Sequence, residues 1–123
     1  MLTPFFSEEA FPEIAYQQGN VKDESGSFVS KDEMTYPIIS EIFHFFKDNS
    51  LSRAQKYNIY GHSAGGQFVH RYLLFNDTPE VERAVAANAG WYTFPTDTID
   101  YPYGIGDSAE RSGLMLTPFM GNG

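Results

Sequence analysis

The sequence predicts an α/β fold: a mostly parallel sheet with crossover helices in one domain. Three observations carry this. Residues 57–75 run from a short apolar stretch through Gly61, His62, Ser63, Ala64 and Gly65 into a segment of helical period. Another helical-period segment, residues 35–48, precedes it, and a run of small apolar residues at 82–89 comes after it. With the apolar run at 1–6, the order is strand, helix, strand, helix, strand. That order gives two right-handed crossover units and hence a parallel sheet.

The elements follow from local chemistry. Residues 1–6 are apolar, broken by Pro4, and read as a strand ending at the functional edge. Residues 7–28 have no sustained period and read as a long loop. A helical turn at 7–10 is expected with Ser7 as its cap, and Gly19, Asn20, Ser25, Gly26 and Ser27 signal turns. Loops of this length are usually functional or disordered, and Phe5, Phe6, Phe11 and Tyr16 favour packing at a site rim. Ser30 and Glu33 have capping-box spacing, but a helix started there would contain Pro37. Thr35 as N-cap places Pro37 in the first turn, where it is tolerated. Ile38, Ile39, Ile42, Phe43, Phe45 and Phe46 then recur along one broad face, and Asp48, Asn49 and Ser50 end the helix. His44 rides on it beside apolar neighbours as a structural residue.

Residues 56–60 form the next strand, in which Asn58 is out of keeping with burial on both faces. Residues 64–75 form a helix, with Ala64, Phe68, Val69, Tyr72 and Leu73 repeating every three to four positions. Asn76 closes it and Pro79 prevents continuation. Residues 82–89 pass from charged to small and apolar, as suits a buried parallel strand. Pro95, Pro102, Gly104, Gly106 and Gly113 mark an irregular loop over 93–113. Residues 114–120 resemble the start of another strand, broken by Pro118, and 121–123 a turn.

Composition removes several classes of function. The net charge is −8, and the eight basic residues are scattered, which argues against nucleic acid and anionic membrane surfaces as partners. No window approaches a membrane span, and no charged-then-apolar leader opens the chain. The chain has no cysteine, so disulfides, thiolate metal sites and cysteine nucleophiles are excluded together. There is no metal-ligand constellation and no phosphate-cradling loop. Gly104, Ile105 and Gly106 lack the third glycine of a dinucleotide fingerprint. No metal or cofactor is expected.

The stretch Gly61, His62, Ser63, Ala64, Gly65 is a G-x-S-x-G pattern with a strand before it and a helix after it. That context makes it a nucleophile elbow, in which a sharp turn lifts the serine hydroxyl above the sheet edge. Gly61 and Gly65 are expected to supply the volume that side chains would take from neighbouring backbone. The Ala64 backbone N–H, at the helix N-terminus, is an oxyanion donor. Residues 57–75 resemble the nucleophile region of an α/β-hydrolase of the esterase/lipase kind. Residues 2–5 resemble the fourth strand of that fold and 81–90 its sixth. The resemblance implies a serine hydrolase with an acyl-enzyme mechanism, a small-molecule ester or amide as acyl substrate, and a triad in chain order serine, acid, histidine.

That order exposes what the chain lacks. His62 precedes the serine and should diverge from it. His70 lies about 10 Å along the helix axis, at ~1.5 Å per residue. His44 is on an earlier helix, and no histidine follows His70. The expectation is a central fragment of the fold without its catalytic base, its second oxyanion donor and its distal acid region. Hydrolysis of short acyl esters should then be near background. Asp97 and Asp100 are the candidate acids if the acid follows the sixth strand; otherwise they are solvated loop carboxylates. Trp91 and Tyr92 line a substrate pocket or belong to the core. Gln67, His70 and Arg71 read as helix-surface or buried polar anchors. Two other functions stay open: a non-catalytic remnant that binds a ligand or partner near Trp91 and Tyr92, and a peptidase or acyltransferase. Unpaired sheet edges would make the chain marginal in stability or self-associating.

Overall fold

A computed structural model of the chain describes residues 1–78 and 80–107. It contains helices α1 (Glu13–Tyr16), α2 (Pro37–Asp48) and α3 (Ala64–Phe75) and strands β1 (Tyr57–His62) and β2 (Val81–Ala87), with a 3-10 turn at Lys31–Glu33. The two strands pair in parallel, Asn58 opposite Arg83 through His62 opposite Ala87, and α3 is the crossover between them. The α/β class is therefore observed. The expected strand and turn at 114–120 and 121–123, like Pro79, lie outside the described residues.

The helix α3 is the centre of the packing. One side lies on both strands: the Gly61 Cα faces the helix so closely that a Cβ there would sit 2.0 Å from the Gly65 carbonyl oxygen. The other side is wrapped by the long segments 17–36 and 91–107. Phe68, Tyr72 and Phe75 from the helix meet Val21, Met34 and Tyr36 from the first segment and Tyr101 and Ile105 from the second. Each large apolar side chain fully buried here contributes about 1.5–3 kcal/mol. The first segment folds back on itself: Val29 N–H donates to the Val21 carbonyl, and the Asp23 carboxylate collects the Ser25 and Ser27 amides at 2.9 and 3.0 Å. The two wraps are then tied together. The Tyr101 hydroxyl donates to the Gln18 carbonyl at 2.7 Å, and Lys22 pairs with Asp107.

The opposite face of the sheet is open among the described residues. Tyr60 is 67% exposed and Val85 50%. They line an apolar groove of about 670 Å³ with Leu2, Pro4, Ile42 and Phe43. This accounts for Asn58, which is exposed, so that β1 is not buried on both faces.

Several local expectations are corrected. Residues 1–6 form no strand: Pro4 lacks a backbone donor, no strand among the described residues pairs with this segment, and Phe5 is 90% exposed. The strands end later and earlier than expected, at His62 and Ala87. The loop at 7–28 contains α1 and a bridge between Lys22 and Phe28. The turn at Ser7 is present, with the Ala10 amide donating to the Ser7 hydroxyl at 3.3 Å. Glu33 does reach back to Ser30, accepting from its amide and hydroxyl, but it closes a 3-10 turn rather than a helix. The helix begins with Pro37 after Tyr36, one residue later than Thr35 capping would give. The Thr35 hydroxyl donates instead to the Ala15 carbonyl at 2.7 Å. His44 keeps Phe43 as an apolar neighbour, with ring centroids 6.0 Å apart, but its ring is exposed and meets the Glu80 carboxylate at 2.9 Å. No helix among the described residues is long and apolar enough to cross a membrane.

Candidate functional site

The two parallel strands end side by side, so the segments that leave them share one sheet edge. Ser63 comes directly after β1 and caps α3. Its N–H donates to the carbonyl of Ala87, the last residue of β2, at 3.0 Å. Its backbone has φ 55° and ψ −116°. That region is natural to glycine and costs other residues about 1–3 kcal/mol. The serine is exposed and its hydroxyl makes no cap bond to the helix. The Ala64 amide, first in the helix, has no acceptor among the described residues. A free hydroxyl and an unpaired amide donor thus stand next to each other at the positive end of a helix dipole.

The glycines divide differently from the expectation. Gly61 does supply missing volume. Gly65 does not: a Cβ there would meet only the Tyr16 hydroxyl, at 3.5 Å, an ordinary contact. The close approach belongs to Gly66, where a Cβ would lie 2.7 Å from the Ala87 carbonyl oxygen. This contact seats the first turn of α3 against the end of β2, and only the packed structure reveals it.

All three histidines are engaged away from Ser63. His62 Nε2 accepts from the Asn88 amide at 3.2 Å, and His44 meets Glu80. His70 Nδ1 lies 2.9 Å from the Gly66 carbonyl, and its Nε2 lies 2.9 Å from the Thr93 amide. Burial lowers the His70 pKa; its backbone bond to Gly66 opposes this and Arg71 reinforces it. Gln67 and Arg71 are buried polar anchors. The Arg71 guanidinium, fully buried, donates to the Thr93 hydroxyl, the Gln17 carbonyl and the Gln67 amide oxygen at 2.8, 2.6 and 3.0 Å. Burial lowers its pKa against the opposing pull of Tyr101 and Tyr36.

Trp91 and Tyr92 lie just beyond β2, on the same edge as Ser63. Trp91 packs edge-on against Tyr103, with ring centroids 5.1 Å apart. Tyr92 is 41% exposed, lies 5.0 Å from the His70 ring, and ties its hydroxyl to the Ala86 carbonyl and the Ala89 amide. Asp97 and Asp100 are both exposed, with no side-chain hydrogen bond or ion pair among the described residues. The structure does not join them to Ser63.

Comparison with known proteins bears on the fold. No family profile and no curated protein matches the sequence. Solved structures do, two hydrolases among them. Poly(aspartic acid) hydrolase-1 from Sphingomonas sp. KT-1 aligns at 44% identity and a TM-score of 0.76, over 81% of this chain and 38% of its own. LpqC, a poly(3-hydroxybutyrate) depolymerase from Bordetella parapertussis, aligns at 30% identity and a TM-score of 0.76, over 93% of this chain and 38% of its own. The chain shares its α/β fold with these hydrolases. It spans 38% of the length of each.

Sequence reasoning missed three residues at this edge. Asn88, at φ 48°, turns the chain after β2 and holds His62; an Asn before Ala-Gly is a signal that was there to read. Thr93 and Gly66 make the contacts described above; those two depend on long-range packing and leave no local pattern. Tyr16, expected at the site rim, brings its hydroxyl over Gly65.

Proposed function

We propose that the chain is the nucleophile-bearing part of a serine hydrolase, with Ser63 as nucleophile and the Ala64 amide as oxyanion donor. The observation that carries this reading is the Ser63 backbone at φ 55° and ψ −116° between β1 and α3, with its hydroxyl exposed. Such strain in a serine persists where the surroundings enforce it, and it aims the hydroxyl out of the fold. In the proposed reaction Ser63 Oγ attacks a carboxylic carbonyl and the oxyanion is met by the Ala64 N–H. The tetrahedral intermediate expels the alcohol or amine, which leaves with the proton given up by Ser63. Water then hydrolyses the acyl-enzyme to the free acid and the serine. The likeness to a poly(aspartic acid) hydrolase and a poly(3-hydroxybutyrate) depolymerase supports an ester or amide of a short carboxylic acid as the scissile group. A net charge of −8 favours an uncharged ester over a polyanion.

None of the histidines contacts Ser63, so the chain alone should hydrolyse short acyl esters at near-background rates, below the 1–10³ s⁻¹ order of typical enzymes. The same observation favours a second reading, a binding module without turnover. An aryl fluorophosphonate separates them. Intact-mass spectrometry and peptide mapping should find Ser63 labelled ahead of every other serine, and S63A unlabelled at that position. Labelling of Ser63 no faster than other serines overturns the nucleophile and leaves the binding module.

A further inference from the structure

The start of the loop after β2 is hydrogen-bonded to α3 through Thr93. Thr93 is buried, at 4% exposure, and makes three bonds to two segments. Its amide donates to His70 Nε2 at 2.9 Å, its hydroxyl accepts from Arg71 Nε at 2.8 Å, and the same hydroxyl donates to the Pro102 carbonyl at 2.6 Å. The bonding fixes the state of His70. The Gly66 carbonyl only accepts, so Nδ1 carries the proton; the Thr93 amide only donates, so Nε2 is bare. A second proton would go to Nε2 and set two N–H groups face to face across 2.9 Å.

We infer that His70 is a positioning residue and a pH-sensitive latch. Neutral, it fixes Thr93 and with it the adjoining Trp91 and Tyr92 at the sheet edge beside Ser63; protonated, it releases them. The groups facing it are few. Arg71 faces it from its own helix and disfavours a second positive charge. Tyr92 faces it from the loop, ring to ring at 5.0 Å. The strands place no hydrogen-bonded acid or base on it among the described residues. The consequence for catalysis, a pocket wall that stands only while His70 is neutral, rests on the hydrolase reading. The latch itself does not.

Trp91 is the only tryptophan, so its fluorescence reports on this loop alone. Titrating the 123-residue chain from pH 8 downward should shift the emission to the red with a midpoint below ~6.5. Far-UV circular dichroism should stay unchanged across that step. In His70→Gln, which keeps an acceptor but does not titrate, emission should match the native chain at pH 8 and lose the step. In His70→Leu it should be red-shifted at every pH. If the leucine variant unfolds, by circular dichroism, the glutamine variant and the native chain decide the matter between them. The latch is overturned by a step that persists in His70→Gln, by emission that holds until the helices melt, or by a folded His70→Leu with native emission at pH 8. None of these outcomes touches fluorophosphonate labelling of Ser63, so the two proposals fail separately.

Discussion

The helices α2 and α3 are each twelve residues long, and α2 has the stronger apolar stripe. Yet α3 buries Gly66, Gln67, Phe68, Val69, Arg71, Tyr72 and Phe75, whereas α2 buries Phe43 alone. The difference lies in what surrounds them. The helix α3 has strands on one side and two long segments on the other, so even its guanidinium is enclosed, bonded through Nε and Nη1 while Nη2 has no partner among the described residues. The helix α2 borders the open groove, and Phe45 on it is 70% exposed. Burial is a property of the neighbours an element finds, and an apolar stripe is only an offer of it.

The sharpest test of this contrast is to remove a buried polar anchor from α3 and an apolar residue from α2. Arg71→Ala leaves the Gln17 carbonyl and the Gln67 oxygen without their donor and opens a cavity. It should lower the unfolding free energy by about 3–5 kcal/mol in urea titration. Phe45→Ala should stay within about 0.5 kcal/mol. A loss at Phe45 approaching that at Arg71 would break the comparison. The glycines of the first turn of α3 sharpen it on a finer scale. Gly66→Ala drives a methyl into the Ala87 carbonyl and should cost about 1–3 kcal/mol. Gly65→Ala meets only an ordinary contact with Tyr16, and should be neutral or stabilising by up to about 1 kcal/mol. Equal costs at the two positions would restore the steric role expected for Gly65.

The buried side of α3 should also respond to acid. The folded chain holds His70 neutral with a pKa below its ordinary value, so the unfolded chain binds more protons below ~6.5. The stability due to His70 is complete above that pH and is lost as pH falls through the lower, folded pKa. The urea midpoint should fall on acidification, and less so in His70→Gln. A smaller effect is expected where the two wraps meet near the surface. Lys22→Ala removes the partner of Asp107, whose carboxyl is pushed up by burial but held below its usual range by the Lys22 and Tyr101 bonds. The pair is partly exposed, and its loss should cost no more than about 1 kcal/mol by the same titration. On the open face, Tyr60→Lys should change stability by no more than about 0.5 kcal/mol. If the open sheet face, rather than the unpaired sheet edges expected from the sequence, drives self-association, the same change should shift sedimentation toward monomer. An unchanged distribution would remove the sheet face from that role.

The parts of this protein that were legible in the sequence are those governed by local backbone chemistry. The span of α3, the entry of Pro37 at a helix start, the turns at Gly19, Asn20 and Gly26, and a strained serine between a strand and a helix all follow from residues a few positions apart. Residues 1–6 misled for the converse reason: an apolar run becomes a strand only when another strand supplies its hydrogen bonds. Among the candidate site residues, the placement of Ser63, Ala64 and Gly61 at the turn between β1 and α3 could be read because the motif is contiguous. Whether Asp97 or Asp100 approaches the serine depended on the path of a loop with no period to follow.

By itself the sequence determined the succession helix, strand, helix, strand over 37–87 and the turn at Ser63, because φ and ψ preferences and the 3.6- and 2-residue periods act over one or two turns of chain. Only the tertiary structure decided which glycine lies against β2, which side of the sheet stays open, and that Arg71, His70 and Thr93 form one knot. Each of those joins residues far apart in the chain, by contacts of a few ångströms that exist only after the segments between them have folded.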